Sequence, residues 1–397
     1  MSDPTQINEP EQGLSADTRN WPKALFAVAL IFSIFQITTA AFHPVSTQVL
    51  RAVHVGFLLL VVFISYPGIG KSQPWQPLAW ILGLAGMATA VYQWVFEADL
   101  IQRSGDLTQN DMIIGVVLVA LVFEAARRVM GIALPIICGI FLVYGLFGEY
   151  LPGELMHRGY GFDQIVNQLA FGTEGLYGTP TYVSATYIFL FILFGAFLEQ
   201  AGMIRLFTDF AMGLFGHKVG GPAKVSVVSS ALMGTITGSG VANVVTTGQF
   251  TIPLMKRFGY RSAFAGGVEA TSSMGSQIMP PIMGAVAFIM AETINVQFIE
   301  IAKAAMIPAV LYFCSVFWMV HLEAKRANLS GLPKDQCPDP WAAIKLRWYL
   351  LIPLFILIGY AIRFLDSARG VMCRFFPIRY RGDVWRYRYA GGDLLVC

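Results

Sequence analysis

Charge is what this sequence has least of: only 13% of its 397 residues are Asp, Glu, Lys or Arg, against roughly a quarter in an ordinary soluble domain. So deep a shortage excludes a chain whose whole surface must face water. The five histidines include no pair four apart with a glutamate between, which excludes a zinc-protease motif. Five cysteines, Cys138, Cys314, Cys337, Cys373 and Cys397, are scattered without the paired spacing of a zinc or disulfide framework and read as packing residues. A phosphate loop is missing, because Gly70-Lys71-Ser72 has Ser65 where the first glycine belongs. Gly238-Ser239-Gly240 lacks the spacing of a nucleophile elbow. With a net charge of only +3 and no interior basic stripe interleaved with aromatics, neither a nucleic-acid partner nor an enzyme is expected.

What the chain does have is apolar length, 56% hydrophobic residues gathered into runs. A helix crossing the ~30 Å hydrocarbon layer needs about 20 such residues. Runs of that order occupy Ala24 to Phe42, Val53 to Tyr66, Pro77 to Phe96, Met112 to Ala126, Gly131 to Tyr150, Ser184 to Ala201, Ala263 to Ala291, Ala302 to His321 and Trp348 to Phe364. The expected fold is therefore an all-α integral membrane protein with about nine transmembrane helices in the lipid bilayer. Residues 1–22, carrying Asp3, Glu9, Glu11 and Asp17, do not resemble a cleaved signal peptide and are expected to stay cytoplasmic.

Basic residues mark cytoplasmic loops. They cluster at Arg19 and Lys23, Lys71, Arg127 and Arg128, Arg205 to Lys224, Lys256 to Arg261, and Lys325 to Arg347. That alternation requires the stretch from Lys224 to Lys256 to begin and end on one side. Too long for one span and too short for two, it is expected to be a re-entrant hairpin over 225–255, its tip in Thr235 to Asn243. Non-helical backbone at that depth persists only where protein or a water-filled cavity satisfies it.

The run 263–292 is expected to be a broken helix, since Pro280 and Pro281 cannot donate backbone hydrogen bonds and should unwind it near Ser276 to Met279. Half-helix ends beside an irregular tip are where secondary transporters bind ions and substrate. The donor set consists of hydroxyls at Thr235, Thr237 and Ser239, amides at Asn243 and Gln277, and carbonyls released around Ser276, Met279 and Pro281; it suits a sodium ion. Glu269 and Glu199 offer themselves as proton or substrate groups, but their places in their runs point to the interface. His54 and His321 flank spans and read as interfacial side chains, while Glu124 can pair with Arg128 one turn on.

Six segments together, Gly131-Ile-Ala-Leu-Pro135, Phe171-Gly-Thr-Glu-Gly175, Gly220-Gly-Pro-Ala-Lys224, Gly234 through Val245, Ile252-Pro-Leu-Met-Lys256 and Gln277 through Gly284, resemble the fused membrane subunits of tripartite ATP-independent periplasmic (TRAP) transporters of the TAXI type. The resemblance implies a sodium-coupled permease of the bacterial inner membrane, importing a small organic anion handed over by a periplasmic solute-binding receptor. Carried over by motif, Thr237, Ser239, Asn243, Ser276, Met279 and Pro281 would hold sodium, and Thr235, Gln277 and Pro280 would line the substrate pathway; no other cofactor is implied. Residues 23–130 would be a four-helix region like the small subunit, and 131–366 the first half of an inverted-repeat transporter fold. The tail 367–397, rich in arginine and aromatics, carries no family motif and reads as a frameshift or premature end. A non-transporting membrane scaffold is the alternative.

Overall fold

The computed structural model describes residues 23–42, 44–66 and 76–356, with three short strands between 379 and 396. The readings of residues 1–22 as cytoplasmic and of Lys71 as an inside position lie outside the described residues, as do the end of the run Trp348 to Phe364 and most of the tail. Through residue 356 the described chain is helical. In the tail, β1 (Arg379–Tyr380), β2 (Trp385–Tyr389) and β3 (Gly392–Val396) pair antiparallel in the order β1-β2-β3, so the all-α expectation holds for the helical region and not for this segment.

Among the described residues, six helical stretches are long and apolar enough to cross a membrane: α1 (Lys23–Phe42), α2 (Thr47–Ser65), Pro77–Val95 within α3 (Gln76–Val95), Ala133–Tyr150, Thr179–Gln200 and Phe298–Arg326. Nine were expected, and the other three runs differ for separate reasons. Met112 to Ala126 lies in α5 (Gln109–Met130), where Asp111 and Glu124 leave only 112–123 uncharged between them. Ala263 to Ala291 is not one helix. The third passes out of the described residues.

Two compact units divide the chain. In the first, 1–193 with 288–295, the short α4 (Glu97–Gln102) leads into α5, whose start is fixed by a capping box between Thr108 and Asp111. Glycines let α2 and α3 approach closely: a Cβ at Gly56 would lie 2.7 Å from that of Ala90, and one at Gly86 would lie 2.8 Å from that of Leu59. Leu59, Phe63, Leu118, Leu121, Val166 and Tyr177 form its core, with α7 (Phe162–Ala170) packed on α5. His54 is buried there and does not flank the membrane as expected; Gln36 Nε2 bonds its Nδ1, and its Nε2 stands 3.0 Å from Ser184 Oγ. By contrast, α6 (Ala133–Phe147) buries none of its residues and exposes Ile136, Ile137, Ile140, Phe141 and Val143, a surface suited to lipid. The stretch Thr179–Gln200 joins α8 (Thr179–Val183) to α9 (Phe189–Gln200) through a π-helical turn.

The second unit holds 194–287 and 296–397. It contains α10 (Met203–Phe215), α11 (Gly221–Thr237), α12 (Gly240–Arg257), α13 (Ser262–Met274), α15 (Phe298–Arg326) and α16 (Pro340–Arg347); α14 (Ala285–Thr293) starts within it. Two clusters of buried apolar residues flank α11, one around Met203, Leu206, Met233 and Ile236, the other around Val227, Met255, Val268 and Val320.

Candidate functional site

Residues 221–257 fold as two packed helices and not as one rod. Gly220, at φ +71°, swings the chain into α11 with Pro222 in its first turn, where a missing N–H costs nothing. Gly238 ends the helix at φ +59°, and Ser239 is extended and caps α12 by accepting from Ala242 N at 3.3 Å. Where Lys224 enters α11 its ammonium is buried, 3.0 Å from His321 Nδ1 of α15 and over the Phe317 ring.

The proline-bearing run is interrupted. Helix α13 tightens into a 3₁₀ turn at Gly275–Ile278, Met279 is extended, and α-helical backbone resumes only at Ala285. Between them the Ser276 carbonyl accepts from Met279 N at 3.3 Å and that of Gln277 from Gly284 N at 2.8 Å. Among the described residues no donor reaches the carbonyl of Pro281, while that of Met279 opens the turn over residues 280–282.

Glycine brings these two irregular elements into contact. A Cβ at Gly238 would fall 1.9 Å from the Met283 carbonyl oxygen, and one at Gly240 would fall 2.6 Å from Met274 Sδ. Each side of the tip thus meets the backbone or stem of the broken helix.

The predicted site residues divide by what their polar atoms already do. Thr235 and Thr237 donate to the Leu232 and Met233 carbonyls at 2.6 and 3.2 Å, and Ser239 serves as a cap. Asn243, fully buried, donates its amide to the Ser230 carbonyl at 2.9 Å, so it ties one arm of the hairpin to the other. Ser276 is different. Its hydroxyl is buried and has no partner, the kind of orphan that calls for an explanation. Gln277 is exposed, Pro280 buried and Pro281 half-buried.

Sequence reasoning assigned Glu269 to the interface, and the structure overturns that. The carboxylate is fully buried between α11, α12 and α13. Ser226 Oγ reaches Oε2 at 2.7 Å, Ser230 and Ser273 reach Oε1 at 3.2 and 3.0 Å, and Thr247 and Thr251 contact Oε1 and Oε2 respectively. Among the described residues no cationic side chain pairs with it. The signal was spacing: Ser226 and Ser230, Thr247 and Thr251, and Glu269 and Ser273 are each four apart, so each pair shares one helix face.

Residues 117–373 match the family described as the tripartite ATP-independent periplasmic transporter, DctM component. Three relatives illustrate the likeness. The C4-dicarboxylate TRAP transporter large permease protein DctM of Pseudomonas aeruginosa is 29% identical over 186 residues, 46% of this chain and 43% of that protein. The sialic acid TRAP transporter permease protein SiaT of Haemophilus influenzae is 30% identical over 172 residues, 43% of this chain and 27% of that one. The 2,3-diketo-L-gulonate TRAP transporter large permease protein YiaN of Escherichia coli is 24% identical over 198 residues, 49% and 46% of the two chains. The chain spans about half the length, or less, of the curated relatives it matches.

Proposed function

Because this chain belongs to the DctM component family of tripartite ATP-independent periplasmic transporters, we propose that it is a permease part of a sodium-coupled secondary transporter. In this reading it works in the bacterial inner membrane with its N-terminus cytoplasmic, and takes a small organic anion from a periplasmic receptor of the TAXI type. The names of the relatives, C4-dicarboxylate, sialic acid and diketo-gulonate transporters, support an acidic substrate.

The observation carrying the sodium assignment is the break at residues 275–284, held against the hairpin tip. It gathers an unpartnered buried hydroxyl at Ser276, a carbonyl without a donor at Pro281 and, beside them, the Met279 carbonyl that opens the turn between. A hard cation favours oxygen ligands of these kinds, and irregular backbone of this sort is where transporters place coupling ions. Thr237 and Ser239 flank the glycine of the tip, and their hydroxyl oxygens keep lone pairs free after each has made its local bond. Asn243 contributes by fixing the hairpin, since its amide is already committed to Ser230.

Sodium binding at such a site couples a gradient to substrate movement by stabilising one arrangement of hairpin and broken helix over another. The test is thermal unfolding of the purified chain in nanodiscs, in sodium and in choline chloride at equal ionic strength. Sodium should raise the midpoint, as any ligand of the folded state does, and Ser276→Ala should erase the increment. An unchanged increment in that variant would reject the site.

A further inference from the structure

Glu269 sits apart from the sodium candidates, and the hydroxyls around it pose a problem of proton counting. A hydroxyl owns one proton and two lone pairs, whereas an ionised carboxylate and a backbone carbonyl can only accept. Thr247 Oγ1 lies 2.7 Å from the Asn243 carbonyl while also touching Glu269 Oε1. Thr251 Oγ1 lies 3.0 Å from the Thr247 carbonyl while touching Oε2. At each threonine at least two acceptors face a single proton.

We infer that the pocket formed by Ser226, Ser230, Thr247, Thr251 and Ser273 around Glu269 is a proton-binding site, at which the carboxyl group takes up and releases a proton. With the proton on, the carboxyl O–H donates to one threonine hydroxyl, which passes its own proton to the carbonyl one turn back. With the proton released, the hydroxyls rotate toward the carboxylate; five of them are available for its four or so lone-pair sites. Both states are satisfied without moving the backbone. A buried carboxylate with neither donors nor a cation would be costly, and here rotating hydroxyls supply the donors.

Hydrogen-bond separations, 2.7 to 3.2 Å where not shorter, favour a proton over a metal ion among these oxygens. The charged and titratable groups on the packed elements are engaged elsewhere or exposed. On α11, Lys224 holds His321 of α15. Tyr312 of α15 meets α13 by donating to the Thr271 carbonyl at 2.8 Å. Lys256 and Arg257, at the far end of α12, are exposed.

The test needs no transport, and its outcome is separate from that of the sodium site. Infrared difference spectra of the reconstituted chain are recorded in sodium-free buffer on stepwise acidification, in light and heavy water. The expected result is a carboxylic acid C=O band that appears on acidification and shifts in heavy water. It is lost in Glu269→Gln and kept in Glu199→Gln. Thr251→Val preserves the carboxyl and its volume but removes one partner, so it should move the band; this variant keeps the test sharp should Glu269→Gln fold poorly. Identical spectra for wild type and Glu269→Gln, or a band unmoved by Thr251→Val, would overturn the assignment. So would a Glu269-dependent change driven by sodium at constant pH and absent on acidification.

Discussion

Gly234 lies so close to Ser276 that a Cβ on the glycine would stand 2.7 Å from the serine's own Cβ and 2.8 Å from its Cα. One neighbour is backbone, so neither helix can yield by turning a side chain. Gly234→Ala should therefore push the hairpin off the broken helix and cost about 1–3 kcal/mol, the usual range for overpacking. Thermal unfolding in nanodiscs would show it, and the sodium-specific increment should shrink with it, because the two elements would no longer meet at the proposed ion site.

Gly238 and Gly202 provide a matched comparison. Both have positive φ, +59° and +101°, but a Cβ at 202 meets nothing within 4 Å, while one at 238 would lie 1.9 Å from the Met283 carbonyl oxygen. Alanine at 202 should cost only the left-handed backbone penalty, about 1–2 kcal/mol. Alanine at 238 adds a clash with immovable backbone and should lower the unfolding midpoint further. Equal losses would mean that the tip has room to give.

The interruption near Pro280 and Pro281 and the chain reversal at Gly238 and Ser239 were legible in the sequence because each rests on a local rule. Paired prolines cannot sit in a helix interior, and Gly238 with Ser239 spells a stop followed by a cap. Glu269 was misplaced because its environment is assembled from three helices, and run position alone puts a glutamate near the membrane edge. Only the three pairs of polar residues at a spacing of four hinted otherwise. His54 was misread similarly, since Gln36 and Ser184, which satisfy it, are distant in sequence. The fate of individual oxygens was beyond reach. Nothing in the sequence tells that the Asn243 amide is spent on Ser230 while the Ser276 hydroxyl is spent on nothing.

Two neighbouring arginines at the end of α5 should differ in worth. Both bond Glu124, Arg127 through two nitrogens at 2.8 Å each and Arg128 through Nε at 2.7 Å. Arg128 also donates to the Tyr66 carbonyl at 2.9 Å, lies over the Phe63 ring and has a side chain only 7% exposed, against 31% for Arg127. Exposed ion pairs contribute about 0–1 kcal/mol, so Arg127→Ala should be nearly silent. Removing Arg128 strips a backbone carbonyl contact and an aromatic contact as well, and should cost about 1–2 kcal/mol. Chemical unfolding of the two variants side by side would decide it.

Three substitutions around the proposed ion site should separate in sodium-free buffer, before any ion is added. Asn243→Ala removes the donor that joins the arms of the hairpin and leaves the buried Ser230 carbonyl short of a partner, a loss of about 1–3 kcal/mol. Ser239→Ala removes a half-buried helix cap, worth about 1 kcal/mol. Ser276→Ala removes a buried hydroxyl that bonds nothing, so it should leave stability unchanged or raise it by up to about 1 kcal/mol. Added sodium should then restore nothing to Ser276→Ala while still stabilising Ser239→Ala in part, because the Ser276 hydroxyl and the Met279 and Pro281 carbonyls remain in that variant. A large loss from Ser276→Ala in choline would show that its hydroxyl has a structural partner, and would remove it as the orphan on which the sodium assignment rests.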